Sequence, residues 1–234
     1  PTMGAWVWNV LPMGLNISPA IVQAQIDHIF RTTYDGPGKY HGKCASTFVL
    51  AYMDDVCVFS DDENHADLLA WVIRRLRAFN VQVAPKKAFI GRESIHLLGH
   101  IVDKHGLHVD MTKVDAMSKM PAPTDATGVK RFLGAAGYYR NFVADFGSRT
   151  SHLTNLLKKT VPFKWTKECQ NEFDDIKKAL VSAPVLALPR WDLPFVLRCD
   201  ASDTGLGCVL VQIHDGVRRI VCCASRKFTP AELG

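Results

Sequence analysis

The spacing of apolar residues divides the chain into strand-like runs and amphipathic helices, and the pattern changes character near position 111. Residues 5–10 (AWVWNV) are apolar and aromatic and predict a strand, which Pro12 and Gly14 break. Ser18-Pro19 predicts a helix N-cap followed by proline at the first helical position. The helix would cover 20–30, with Ile21, Ala24, Gln25 and His28 on one face and Ile26, Ile29 and Phe30 near the other. Residues 35–42 (DGPGKYHG) read as a turn-rich loop. Two apolar runs, 47–51 and 56–60, enclose a short polar centre and predict a β-hairpin. Over 64–79, Leu69, Val72, Ile73 and Leu76 recur at helical spacing, and Arg74, Arg75 and Arg77 form a polar face. Residues 95–102 and 107–109 flank His105-Gly106 and predict a second hairpin.

Past Met111 helices dominate, punctuated by Pro121, Pro123, Pro162, Pro184 and Pro189. The clearest helix, over 168–180, places Cys169, Phe173, Ile176 and Leu180 on one stripe. Strand patterns return at 195–199, 207–213 and 219–224.

The net charge is +5, and its placement says more than its size. Basic and acidic residues balance at twelve each over 1–120 and at five each over 191–234, whereas 121–190 carries eleven basic against six acidic. Such a segment either tracks a phosphate backbone or forms a solvated helical face. No run reaches the ~18 uninterrupted apolar residues of a membrane span, and no basic-then-apolar leader opens the chain. The seven cysteines include no C-x-x-C pair, and several sit in apolar runs. Buried, reduced thiols in an intracellular protein are expected rather than zinc ligation or disulfides.

Tyr52-Met53-Asp54-Asp55 sets two adjacent carboxylates between the greasy runs of the first hairpin. Burying ionised carboxylates there would be costly without a cationic partner. A divalent cation with hard oxygen ligands answers that cost and suits phosphoryl transfer. The bland alternative is a hydrated hairpin turn.

The YMDD quartet with its apolar flanks resembles motif C of reverse transcriptases. Upstream, Leu11-Pro12-Met13-Gly14-Leu15 followed by Ser18-Pro19-Ala20 is similar to their motif B. Lys86-Lys87-Ala88-Phe89 stands where the family has a K-C-x-F segment, with Lys87 in place of the usual Cys. Leu97-Leu98-Gly99-His100-Ile101-Val102 resembles the primer-grip hairpin. Arg131-Phe132-Leu133-Gly134 with Tyr138-Tyr139-Arg140-Asn141-Phe142 is similar to the RxFLGxxxYYRxF signature of gypsy-type LTR retrotransposons. Phe163-Lys164-Trp165 and Ala183-Pro184-Val185-Leu186 continue the match, and Asp200-Ala201-Ser202 with Gly205 and Gly207 resembles the opening strands of an RNase H domain. The resemblance covers essentially the whole chain.

It implies an α+β chain: a partial right-hand polymerase palm over 1–110, thumb and connection helices over 111–190, and the first strands of an RNase H-like α/β domain over 191–234. Asp54 would ligate Mg²⁺ or Mn²⁺ at the polymerase site, with Asp55 supporting it. Tyr52 and Met53 would lie against the primer terminus, and Met13 and Gly14 near the incoming nucleotide and template. Lys86 would approach the leaving pyrophosphate; its bland reading is a surface lysine on an edge strand. Gly99, with His100, would shape the primer grip. Asp200 would ligate metal in the RNase H site, where an isolated Asp at a strand end is otherwise a cap. Lys130, Arg131, Arg140, Lys158 and Lys159 would contact phosphates, or else be solvated surface. The implied partners are an RNA/DNA primer–template, deoxynucleoside triphosphates and neighbouring Pol polyprotein segments, with no membrane. The implied compartment is the cytoplasm, a virus-like particle or the nucleus.

Residues 1–10 contain no Asp or Glu, and the chain opens on Pro1. The resemblance implies a further polymerase carboxylate ahead of motif B, expected on polypeptide upstream, and the rest of the RNase H ligands downstream. Two functional expectations follow. The chain is part of an RNA-directed DNA polymerase with RNase H and is inactive in isolation, or it is a decayed remnant that at most binds nucleic acid.

Overall fold

The computed structural model describes residues 8–60, 62–203 and 205–232. Half of the strand expected at 5–10 lies outside them, and residues 8–10 form no strand. The chain folds as two units, Pro1–Ile90 and Gly91–Gly234, each with its own apolar core.

In the first unit, helices α1 (Ser18–Phe30) and α2 (His65–Ala78) pack on a hairpin of β1 (Val49–Tyr52) and β2 (Asp55–Val58). Ser18 is not the N-cap; Ile17 holds that place. The Ser18 hydroxyl instead donates to the Pro12 carbonyl at 2.9 Å, and its N–H donates to Leu15 O at 3.1 Å. The loop thus folds back to serve donors that a helix start leaves unpaired. In α2, Val72 and Leu76 are buried as the spacing requires, but Leu68 and Trp71 join them while Ile73 is exposed. The stripe is turned toward Trp71, the largest apolar surface on the helix. Its ring meets Tyr34 and Phe48 edge-on at 5.6 Å, and its indole N–H donates to Asp35 Oδ1 at 2.6 Å.

The second unit opens with an antiparallel sheet of β3 (Ser94–Leu97), β4 (His100–Asp103) and β5 (Gly106–Val109). The run read as one strand over 95–102 folds back at Leu98-Gly99, where both residues have positive φ, 45° and 71°. Apolar spacing misses this turn because Leu98 is as apolar as its neighbours. Helices α3 (Met111–Ser118), α4 (Ala126–Tyr138), α5 (Phe146–Arg149), α6 (Ser151–Asn155) and α7 (Lys167–Val181) follow. Side chains of Asp110, Asp125 and Thr166 cap α3, α4 and α7. The predicted stripe of α7 is buried, and Phe173 meets Phe132 of α4 with ring centroids 4.5 Å apart. Glu172 crosses from α7 to the start of α6, accepting from the backbone N–H groups of His152 and Leu153 at 3.0 and 2.9 Å.

A second antiparallel sheet runs β6 (Val196–Ala201), β7 (Gly205–His214), β8 (Val217–Lys227), with the β7–β8 turn at Asp215-Gly216, both left-handed. Gln212 is fully buried in it and pins the preceding loop, accepting from Arg190 N–H at 2.9 Å and donating to the carbonyls of Arg190 and Leu193. The two sheets are linked through the segment after α7. Leu186 exchanges backbone hydrogen bonds with Leu107 of β5, and Ala187 N–H donates to Ile220 O of β8 at 2.7 Å. No described helix is long and apolar enough to cross a membrane.

Candidate functional site

β1 and β2 are paired from Val49↔Val58 to Tyr52↔Asp55, which leaves Met53-Asp54 as a two-residue turn. Asp54 and Asp55 are both exposed at this tip, so the burial cost anticipated from the apolar flanks is not incurred. Of the flanks, Val49, Ala51, Val56 and Val58 pack into the core with α1 and α2, whereas the two carboxylates stay outside it. Neither carboxylate is hydrogen-bonded or ion-paired to a described residue. Two adjacent, exposed hard oxygen donors suit a divalent cation. Among the described residues no group of three or more His, Cys, Asp or Glu gathers to complete a coordination sphere.

Met53 takes φ 53°, a left-handed conformation that costs a non-glycine residue about 1 kcal/mol or more. A residue that sequence reasoning passed over holds it there. Gln23 of α1 accepts from the Met53 N–H at 2.7 Å and donates to Ala51 O at 3.3 Å and Asp27 Oδ1 at 2.8 Å. One amide thus ties the helix to both sides of the turn. No one-dimensional signal marks it, since the contact joins positions 30 apart in sequence. Gln23→Leu is expected to destabilise the first unit by about 1 kcal/mol in chemical denaturation. It should also speed hydrogen exchange at the Met53 amide about fivefold or more. An unchanged Met53 amide would mean the Gln23 contact does no holding.

The remaining expected residues of this unit are more scattered. Met13 is fully exposed, and Gly14 takes φ 88° with open space around it, in the loop that Ser18 ties back to α1. Tyr52 is half exposed beside the turn. Lys86 lies in the exposed 3-10 turn Pro85–Lys87, not on an edge strand, because Pro85 starts the turn and removes a ladder donor.

In the second unit, Gly99 occupies the β3–β4 turn. A Cβ there would lie 2.8 Å from Lys113 Nζ, the end of a flexible side chain, and 3.0 Å from the Tyr138 hydroxyl, so the positive φ is what selects glycine. Asp200 sits near the end of β6, exposed and paired with Gly207. The two glycines of the D-A-S-x-x-G-x-G stretch have a packing reason. A Cβ on Gly207 would overlap the Asp145 carboxylate, and one on Gly205 would press on Arg226 O and Ser148 Oγ. The segment 145–148 therefore lies close against β7. Lys130 and Arg131 are exposed on α4, Arg140 just after it, and Lys158 and Lys159 in the turn after α6.

The chain matches two family models: reverse transcriptase (RNA-dependent DNA polymerase) over residues 3–102, and the RNase H-like domain found in reverse transcriptase over 165–234. It is 33% identical to the retrovirus-related Pol polyprotein from transposon 412 of Drosophila melanogaster, over 98% of this chain and 18% of that polyprotein. Against the Pol polyprotein from transposon gypsy of the same organism it is 33% identical over 89% of this chain and 20% of the relative. The chain thus spans about a fifth of the length of these relatives. The foamy viral protease-reverse transcriptase solved in complex with dsDNA shares the fold, with a TM-score of 0.80, 24% identity, and coverage of 97% of this chain and 45% of that one. With the polymerase motifs and the RNase H-like strands present in one order along one chain, the protein belongs to the reverse transcriptases of retrotransposon Pol polyproteins.

Proposed function

We propose that this chain is the primer-handling part of an RNA-directed DNA polymerase with RNase H, acting on an RNA/DNA primer–template and deoxynucleoside triphosphates within a longer Pol polyprotein. The observation that carries the reading is the Met53-Asp54 turn, which presents two adjacent exposed carboxylates at the tip of a hairpin held from behind by Gln23. Asp54 and Asp55 would hold Mg²⁺ or Mn²⁺. That ion, when bound, neutralises charge on the transferred phosphoryl group. Tyr52 and Met53 place the primer terminus beside it, while Met13 and Gly14 form the loop that receives the incoming nucleotide. Lys86 offers an ammonium to the departing pyrophosphate. Gly99 lets the primer strand approach the β3–β4 turn, and Asp200 contributes a carboxylate to the RNase H metal site. Primer extension by a polymerase that contains this chain tests the reading.

The nucleic-acid surface has a separate test. Phosphate contacts release counterions, so duplex affinity should fall steeply with salt. Charge reversal at Lys130, Arg131, Lys158 and Lys159 is expected to weaken duplex binding and to flatten the slope of log K against log salt by about one for each phosphate no longer neutralised. A slope that stays the same would place the phosphate-binding surface on other residues.

A further inference from the structure

We infer, on the polymerase reading proposed above, that Tyr138 and Tyr139 are positioning residues for the primer terminus, acting through the Leu98-Gly99 turn. Both tyrosines lie at the C-terminal end of α4, and their hydroxyls reach two successive carbonyls of the turn. Tyr139, buried, donates to Gly99 O at 2.8 Å; Tyr138, half exposed, donates to Leu98 O. His100, the first residue of β4, closes the arrangement. Its Nδ1 lies 3.0 Å from the same Leu98 carbonyl, and its ring stacks on Tyr138 and Phe142 at 5.1 and 5.7 Å and meets Tyr139 edge-on.

The physics of a hairpin tip makes these contacts unusual. Turn carbonyls ordinarily face water, and Leu98 at φ 45° is a strained conformer for a branched side chain. Here each turn carbonyl is met by a helix side chain 40 residues away in sequence. The neighbouring face is filled by Lys113 of α3, which lies over the Tyr138 ring at 5.8 Å. The turn is thus fixed to α4 as well as to its own strands, so the position of α4 bears on the turn. A primer terminus resting on the turn takes its position from that helix. The aromatic pair that the sequence presents as part of a family signature thereby has a mechanical role: two hydroxyls setting one turn.

Phenylalanine keeps each ring and its packing while removing the donor, so Tyr138→Phe, Tyr139→Phe and the double variant separate the hydrogen bonds from the core. In this 234-residue chain, hydrogen exchange at the Leu97 and His100 amides, which pair across the turn, should speed up about fivefold in each single variant and further in the double. In the polymerase that contains the chain, the double variant should lower kcat for extension of a matched primer about tenfold, with the KM for nucleotide and the affinity for duplex unchanged. Unaltered exchange at the turn overturns the clamp. Faster exchange with unaltered kcat overturns its role in placing the primer. A loss confined to thermal stability, with kcat and exchange both intact, would reduce the tyrosines to core residues and overturns it equally. Failure of the unsubstituted polymerase to extend any primer is read from its own control and overturns the polymerase reading instead.

Discussion

Replacing Asp54 by Asn should abolish primer extension in a polymerase that contains this chain, while leaving the hairpin folded. Asp54 is exposed at a two-residue turn and makes no hydrogen bond or ion pair with a described residue, so the isosteric amide costs the fold little. The same change removes one negative charge from a site that would hold a divalent cation. Charge stabilisation by such an ion is worth several kcal/mol at a phosphoryl-transfer transition state, and each ~1.4 kcal/mol is tenfold in rate. A loss of about a hundredfold or more is therefore expected, against a change in melting temperature within error. Extension by the Asp54→Asn polymerase would show that Asp54 is a turn residue and no more.

The largest expected effect on stability lies at Gly106. Its φ of 142° is open only to glycine, and a Cβ there would overlap the backbone carbonyl of Leu186. That carbonyl cannot turn aside cheaply, since Leu186 and Leu107 exchange hydrogen bonds of 2.7 and 2.9 Å that tie β5 to the segment after α7. Backbone strain of roughly 1–3 kcal/mol adds to the weakening of two hydrogen bonds at about 1 kcal/mol each. Gly106→Ala should thus destabilise the second unit by about 3 kcal/mol or more, a fall in Tm of roughly 10 °C for a domain of this size. Gly91 supplies the contrast, with φ 61° but open space around it. Gly91→Ala should cost only the left-handed penalty of about 1 kcal/mol. Circular dichroism melts of the two variants decide the point: equal falls in stability would mean that the close approach to Leu186 carries no energy.

The hairpin that carries the candidate site was readable along the chain. Asp54 and Asp55 stand at the centre of a hairpin that apolar runs on both sides announce, and a β-hairpin pairs residues only a few positions apart. The helix over Lys167–Val181 was equally plain, because a 3.6-residue period needs no partner to be seen. Errors arose where one apolar residue had to be ranked above another. In α2 the stripe is set by Trp71, whose ring meets Tyr34 and Phe48. At 95–102 the fold-back at Leu98-Gly99 is invisible to hydropathy.

What residue order determined, then, was local: which segments are helix or strand, where the carboxylates cluster, and which family the chain joins. Tertiary structure decided what holds those pieces in place. Gln23 braces the Met53-Asp54 turn from 30 residues away, Tyr138 and Tyr139 reach the Leu98-Gly99 turn across 40, and Gly106 admits a carbonyl from 80 residues further on. Each of these contacts satisfies a backbone polar group or makes room for one. Every residue offers such groups whatever its side chain, so only the folded path of the chain determines which residue meets which.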